Sequence, residues 1–348
     1  MMGRDATTRI VLIHVGILAA FALAQFVLPP YHHTNFARIM VLGSYAIAYN
    51  IVMGYTGLLS LGHAMFFAAG LYGAGLMVEY HAFGAPAAFG AGLVASLVVA
   101  LTLGAIALRT SGVSFLIVTM MFAQACFLAT LYFNEWTLGD QGFVVSQKLR
   151  PLVFGGVEFP FSEPVVKYNV ALAIFAVCFL GALALVRSPT GRILVAIREN
   201  EARTRMLGYH TYRYKLLALT ISGVMSGATG AAYALVFSYV GSSFASIEYS
   251  IFPMLWVLVG GAGTTLGPVI GTALMFYLVD YSSEAVDKIL SSDFFIWLFG
   301  DALTEKFQAG DFGHVYLFVV GATLIILVLW FPKGIMGSLR DRYFKWMP

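Results

Sequence analysis

The sequence predicts an all-α polytopic membrane protein of about ten transmembrane helices, arranged in pseudo-repeated halves. Three observations carry this expectation. Of 348 residues, 60% are hydrophobic and only 11% charged, against roughly 25% charged in an average soluble domain. Mean hydropathy is +0.85, and a chain so poor in charge cannot clothe a water-facing surface. Apolar runs of span length also succeed one another along the chain, each close to the ~20 residues that cross about 30 Å of hydrocarbon.

Pro, Gly and charged residues bound these runs. Residues 10–28 form the first, stopped by Pro29-Pro30; 36–53, 58–78, 86–108 and 113–133 are the next four. A mixed loop, 134–167, precedes the sixth run, 168–186. The seventh, 214–237, is followed by two short runs, 250–260 and 266–279, joined by a Gly-rich turn. A polar stretch, 280–313, leads to the last run, 315–331. The chain reads as one transmembrane domain over 1–348, with 134–167 and 280–313 as its long outer, periplasmic loops. Cys126 and Cys178 fall inside apolar runs and read as small buried residues, with neither disulfide nor metal-ligand spacing.

Orientation follows from Lys and Arg, which concentrate on the cytoplasmic side. With the N-terminus inside, 14 of the 20 basic residues and only four of the 17 acidic ones fall in inside segments. Ten spans with both termini cytoplasmic are self-consistent. Arg4, Arg9, the first run and Ala22-Leu23-Ala24 also fit a cleavable signal peptide. The run exceeds a usual signal core, which favours a retained helix, and either reading leaves the remaining orientation unchanged.

The most informative segment is 188–213, on the inside. Ser188-Pro189-Thr190 is a helix start, a capping residue followed by Pro in the first turn. Ile193, Val195, Ala196 and Ile197 make a short apolar face, ringed by Arg192, Arg198, Glu199 and Glu201. Gly208 suits a chain reversal because glycine tolerates positive φ. Such an amphipathic helix, too short and charged to span, fits a groove on a partner. A basic loop that merely obeys the inside rule, or rests on anionic lipid, fits these residues equally well.

Four stretches, in order, resemble the LivM-type branched-chain amino acid permeases of ATP-binding-cassette importers. They are Gly54-Tyr55-Thr56-Gly57-Leu58-Leu59-Ser60-Leu61-Gly62-His63-Ala64; the segment from Ser188 to Lys215; Gly260-Gly261-Ala262-Gly263-Thr264-Thr265-Leu266-Gly267-Pro268; and Phe331-Pro332-Lys333-Gly334-Ile335. Together they span about residues 40–335. The resemblance implies that 188–213 is the loop coupling the permease to an ATPase, with Arg192, Arg198, Glu199, Glu201 and Gly208 carrying that role. It implies an inner-membrane location and no cofactor in this chain. The implied partners are a second, LivH-type permease, two ATP-binding subunits holding ATP and Mg, a periplasmic substrate-binding protein and membrane lipid. Arg203 departs from the pattern, standing where a second small residue is common. Residues 137–142 only approximate the family's outer Gly-rich segment, and the acidic stretch 280–311 is longer than usual. These departures leave the substrate open among branched-chain amino acids, urea, amides and aromatic acids.

Glycine interrupts apolar sequence most heavily at 54–62 and 260–267, once in each half. Paired Gly-broken segments point to a transport pathway, because irregular backbone at membrane depth needs protein or a water-filled cavity around it. Close packing through small residues explains them equally. The pathway candidates are Gly62, Gly260, Gly261, Gly263 and Gly267, with Ser60, His63 and Gln124 as polar groups inside spans. For His63 and Gln124 an ordinary interhelical hydrogen bond is the plainer account.

No Gly-x-x-x-x-Gly-Lys-[Ser/Thr] loop, metal spacing, nucleophile elbow or basic-aromatic nucleic-acid pattern occurs in the sequence. The reading is a transport subunit, not an enzyme, that moves branched-chain or related hydrophobic amino acids by alternating access. Its rival is a secondary transporter or channel acting alone. That rival needs intramembrane carboxylates, whereas Glu79 and Asp280 lie at span ends.

Overall fold

The computed structural model describes residues 4–145, 151–154, 157–290 and 315–343. Helix α1 (Arg4–Val27) and helix α2 (Pro30–Asn50) meet at Pro29-Pro30. Pro30 opens α2, where its missing N–H removes no helical bond. α2 runs on into a single π-turn, Ile51–Tyr55, a widening of the helix common at functional sites. After an irregular segment come α3 (His63–His81), α4 (Ala85–Ala107), α5 (Val113–Tyr132) and the short α6 (Asn134–Thr137). The chain then forms β1 (Phe143–Val144) and a hairpin of β2 (Leu152–Phe154) and β3 (Val157–Phe159). Next are α7 (Pro164–Arg187), α8 (Pro189–Glu199), α9 (Glu201–Met206) and α10 (Thr211–Phe237). β4 (Tyr239–Val240) pairs antiparallel with β1, Phe143 opposite Val240. The described chain closes with α11 (Glu248–Gly260), α12 (Gly267–Leu290), α13 (Val315–Trp330) and α14 (Gly334–Tyr343).

Seven stretches among the described residues are long and apolar enough to cross a membrane. The third span differs from the expected 58–78. Residues 58–62 are irregular and α3 begins only at His63, because Gly57 turns the chain at a φ of +74°. His63, Glu79 and His81 at its ends dilute its hydropathy. Of the outer stretch 280–313, residues up to 290 continue α12, and 291–314 lie outside the described residues.

Connectivity gives the bundle two ends. α7 runs from the β-hairpin to α8, and α10 returns from α9 to β4. The Tyr168 hydroxyl at the start of α7 donates to the Phe21 carbonyl at 2.6 Å. The Val27 end of α1 therefore lies with the strands and its Arg4 end with α8.

α2 is the central element, and from Ile39 onward every one of its residues is buried inside the protein. Tyr45 and Tyr49 are its largest fully buried side chains. α3, α4 and α10 pack through small residues, as helices without a hydrophobic drive between them do. A Cβ on Gly70 would overlap the Gly227 carbonyl, and one on Gly227 would overlap Ser96 of α4. Val94, Val98 and Leu101 of α4, and Val113, Met121 and Leu128 of α5, are exposed, an outer surface suited to lipid.

Candidate functional site at the glycine junction

The segment singled out after the sixth span is two capped helices at one end of the bundle. The Ser188 side chain accepts from the Gly191 N–H at 3.1 Å, capping α8 with Pro189 in its first turn. Asn200 is extended at φ −160°, and its Oδ1 accepts from the Arg203 N–H at 2.8 Å, capping α9. The amphipathic helix expected after Ser188 therefore ends at Glu199, because the Asn200 side chain starts a second helix. Of the expected apolar face, Ile193, Val195 and Ala196 are half-buried and Ile197 is buried. Gly191, Leu194 and Ile197 are buried against the chain's own bundle. Arg192, Arg198 and Glu199 are exposed.

Glu201 ties α9 to α10. Its Oε1 accepts from the Thr211 hydroxyl at 2.9 Å and from Arg205 at 3.2 Å, and its Oε2 accepts from the Lys215 ammonium. Burial works to raise its pKa, but the hydrogen bonds from Lys215 and Thr211 and the charges of Lys215 and Arg205 outweigh it. The carboxyl is held below its ordinary value. Beyond this tie Gly208 reverses the chain at a φ of +91°. Met206 (81% exposed) and Leu207 (71%) project from the turn, with Tyr209 beside them.

Three motifs that lie far apart in sequence converge beneath α8. Arg198 donates to the Gly54 carbonyl. A Cβ on Gly57 would come within 2.7 Å of the Arg198 side chain, and one on Gly263 within 2.8 Å of its Nη1. Asn50, 2% exposed, binds the second glycine segment twice, donating to Thr264 O at 2.8 Å and accepting from the Gly263 N–H at 2.9 Å. Gly54 has no room for a side chain, since a Cβ would overlap both Asn50 Oδ1 and the Gly263 nitrogen. The turn at Gly334 packs onto Gly261, where a Cβ on Gly334 would strike the Gly261 backbone. Gly260 and Gly267 touch in the same way, closing the α11–α12 turn.

Ser60, Gly62 and His63 lie deeper. Ser222 is eleven residues into α10, so His63 beside it is about 16 Å from the α8 end. Here α3 starts inside protein, and side chains satisfy the N–H groups at its buried start: Ser60 for Gly62 (3.2 Å), Thr119 for Leu61 (3.2 Å) and Ser250 for Ala64 (2.9 Å). The Tyr49 hydroxyl donates to Ser60 O at 2.8 Å. The Ser222 hydroxyl donates to Ala48 O at 2.6 Å and accepts from His63 Nε2 at 2.9 Å, which assigns that ring proton. His63 Nδ1 is buried without a partner. This is the geometry of an interhelical tie across α2, α3 and α10. Gln124 stands apart, half-buried on α5.

An apolar cavity of about 580 Å³ opens between α3, α4, α5 and α6, lined by Met65, Tyr72, Val99, Cys126 and Trp136 among others. None of the pathway candidates lines it. Sequence reasoning passes over two polar residues of α2, Asn50 and Arg38. Arg38, a cation within an apolar run, carries a visible signal; Asn50 becomes meaningful only through partners more than 200 residues away. The described residues contain no metal-ligating cluster.

A profile of the branched-chain amino acid transport system permease component matches residues 34–328, and the chain belongs to that family. It is 26% identical over 313 residues to the high-affinity branched-chain amino acid transport system permease protein LivM of Salmonella typhimurium, covering 84% of this chain and 67% of that protein. The LivM protein of Escherichia coli K12 matches at 26% over 314 residues, with the same coverage. The autoinducer 2 import system permease protein LsrC of an Enterobacter species is 29% identical over 132 residues, 36% of this chain and 38% of that one. No solved structure matches the chain significantly. The protein is a membrane permease subunit whose relatives act in transport.

Proposed function

We propose that this chain is one permease of an ATP-driven importer carrying branched-chain or related hydrophobic amino acids across the inner membrane by alternating access. Family membership supports the transport class. The observation that carries the coupling is the Arg198–Gly54 bond beside Asn50 and Gly263, because a lever must touch the moving spans to bias two states. Glu201 anchors the same lever to α10. Met206, Leu207 and Tyr209 are the exposed apolar end that an ATPase groove would grip, replacing the inward-turned face of α8 in that role.

In this reading the basic α8 end is cytoplasmic, with both termini there, and the strand end faces the periplasm. The shorter or more polar helices α3, α11 and α12 complete about ten spans in two halves. ATP and Mg reside on two partner subunits, while a second, homologous permease and a periplasmic binding protein complete the assembly. His63, Ser60, Gly62, Gln124 and the glycines 260, 261, 263 and 267 form or brace the pathway.

Reconstitution decides it. Uptake of branched-chain amino acids into vesicles should require co-assembled ATPase, ATP and the binding protein. Uptake by this chain alone under a proton or sodium gradient would establish the secondary-transporter reading instead.

A further inference from the structure

Arg38 is a cation inside a membrane-crossing helix that the coupling reading leaves unused. It lies eight residues beyond Pro30 in α2, so about 12 Å in from the strand end. Its guanidinium carbon is 5.3 Å from the centre of the Phe237 ring, and its Nε is buried without a hydrogen-bond partner. Among the described residues no carboxylate lies within ion-pairing distance of it. Charges at such depth are expensive and are kept where function uses them. An aromatic face attracts a guanidinium only modestly, far less than an anion would.

The surroundings suit a small amphiphile. Phe237 is also a wall of a cavity of about 650 Å³ at the strand end, which Val144, Phe161, Glu158, Lys167 and Ser238 line as well. Behind Phe237 stands Tyr233, ring centres 4.6 Å apart, and behind Tyr233 stands Phe244 at 4.9 Å. The wall is therefore apolar and braced, with the Arg38 cation against one of its rings.

We propose that Arg38 receives the carboxylate of the transported amino acid as it passes from this cavity into the bundle, with the substrate's apolar side chain against Phe237. The proposal rests on the importer reading above. A lipid phosphate offers Arg38 the same anion chemistry, and the test separates the two.

The full complex in nanodiscs is treated with phenylglyoxal, and modification of Arg38 is followed by peptide mass spectrometry. Millimolar leucine should slow modification at Arg38 about ten-fold, leaving Arg205 unaffected, while isopentylamine, which lacks the carboxylate, should not. Removal of anionic lipid should not speed it. Equal protection by the amine, no protection by leucine, or protection that vanishes with anionic lipid overturns the proposal. In uptake assays Arg38→Met should raise the apparent KM for leucine about ten-fold with ATP hydrolysis within about two-fold, and Arg38→Lys should restore part of it. Parallel loss of uptake and hydrolysis in both variants makes Arg38 structural and overturns the proposal. The phenylglyoxal arm needs no ATP, so it stands even if uptake proves independent of an ATPase.

Discussion

The guanidinium of Arg198 on α8 donates to the carbonyl of Gly54, 144 residues earlier, at the turn that follows α2. A charged donor on a helix's terminal carbonyls is favourable on its own, but here the donor belongs to a different helix. Movement of α8 must therefore pull on the α2–α3 turn. Arg198→Ala is expected to leave ATP hydrolysis by the assembled complex within about two-fold and to lower uptake per ATP at least ten-fold. Equal uptake per ATP in variant and wild type, measured in proteoliposomes, would remove Arg198 from the coupling path.

Beside it, Gly54 tests the junction sterically. Gly54→Ala would force its Cβ into Asn50 Oδ1 and the Gly263 nitrogen, and overpacking of this kind costs about 1–3 kcal/mol. Gly90 and Gly181 lie within α4 and α7, where an added Cβ would meet nothing within 4 Å. Alanine there should be neutral or stabilising by up to about 1 kcal/mol through helix propensity. Thermal unfolding of the three variants in detergent should place Gly54→Ala lowest; equal midpoints would mean the junction is loose.

Asn50 makes a separate, polar prediction. Asn50→Ala leaves the Thr264 carbonyl and the Gly263 N–H without their partner, at about 1–3 kcal/mol for each buried group left unpaired. The loss should exceed that of Thr102→Ala, whose hydroxyl bonds only within its own exposed helical turn. A midpoint shift no larger than that of Thr102→Ala would contradict it.

Much of this is legible in the sequence, and the remainder is not for identifiable reasons. Ser188-Pro189, Gly208 and the two glycine segments announce themselves by local chemistry, as caps, reversals and breaks in apolar runs. Their meeting at Arg198 is long-range and leaves no periodic trace. The apolar face of α8 is visible in its spacing, but spacing does not say what covers it: Leu194 and Ile197 pack on the chain's own bundle. The exposed Met206 and Leu207 read in sequence as ordinary apolar residues beside Gly208, because nothing local distinguishes a projecting pair from a buried one.

Glu201 supplies the pH-dependent prediction. Its folded-state pKa lies below the ordinary value of 4.5, so the tie to Thr211 and Lys215 is fully present above that value and is lost as pH falls through the lowered one. With the side chain 34% exposed, solvent screening limits the contribution to about 1 kcal/mol or less. Glu201→Gln should therefore unfold slightly earlier than wild type at pH 7, and the gap should close towards pH 3; a gap constant with pH would assign it to hydrogen bonding rather than charge. Glu201→Lys sets like charges beside Lys215 and Arg205 and should detach α9 from α10. In the assembled transporter that variant is expected to hydrolyse ATP with uptake reduced at least ten-fold, and normal uptake would show that the lever does not need this anchor.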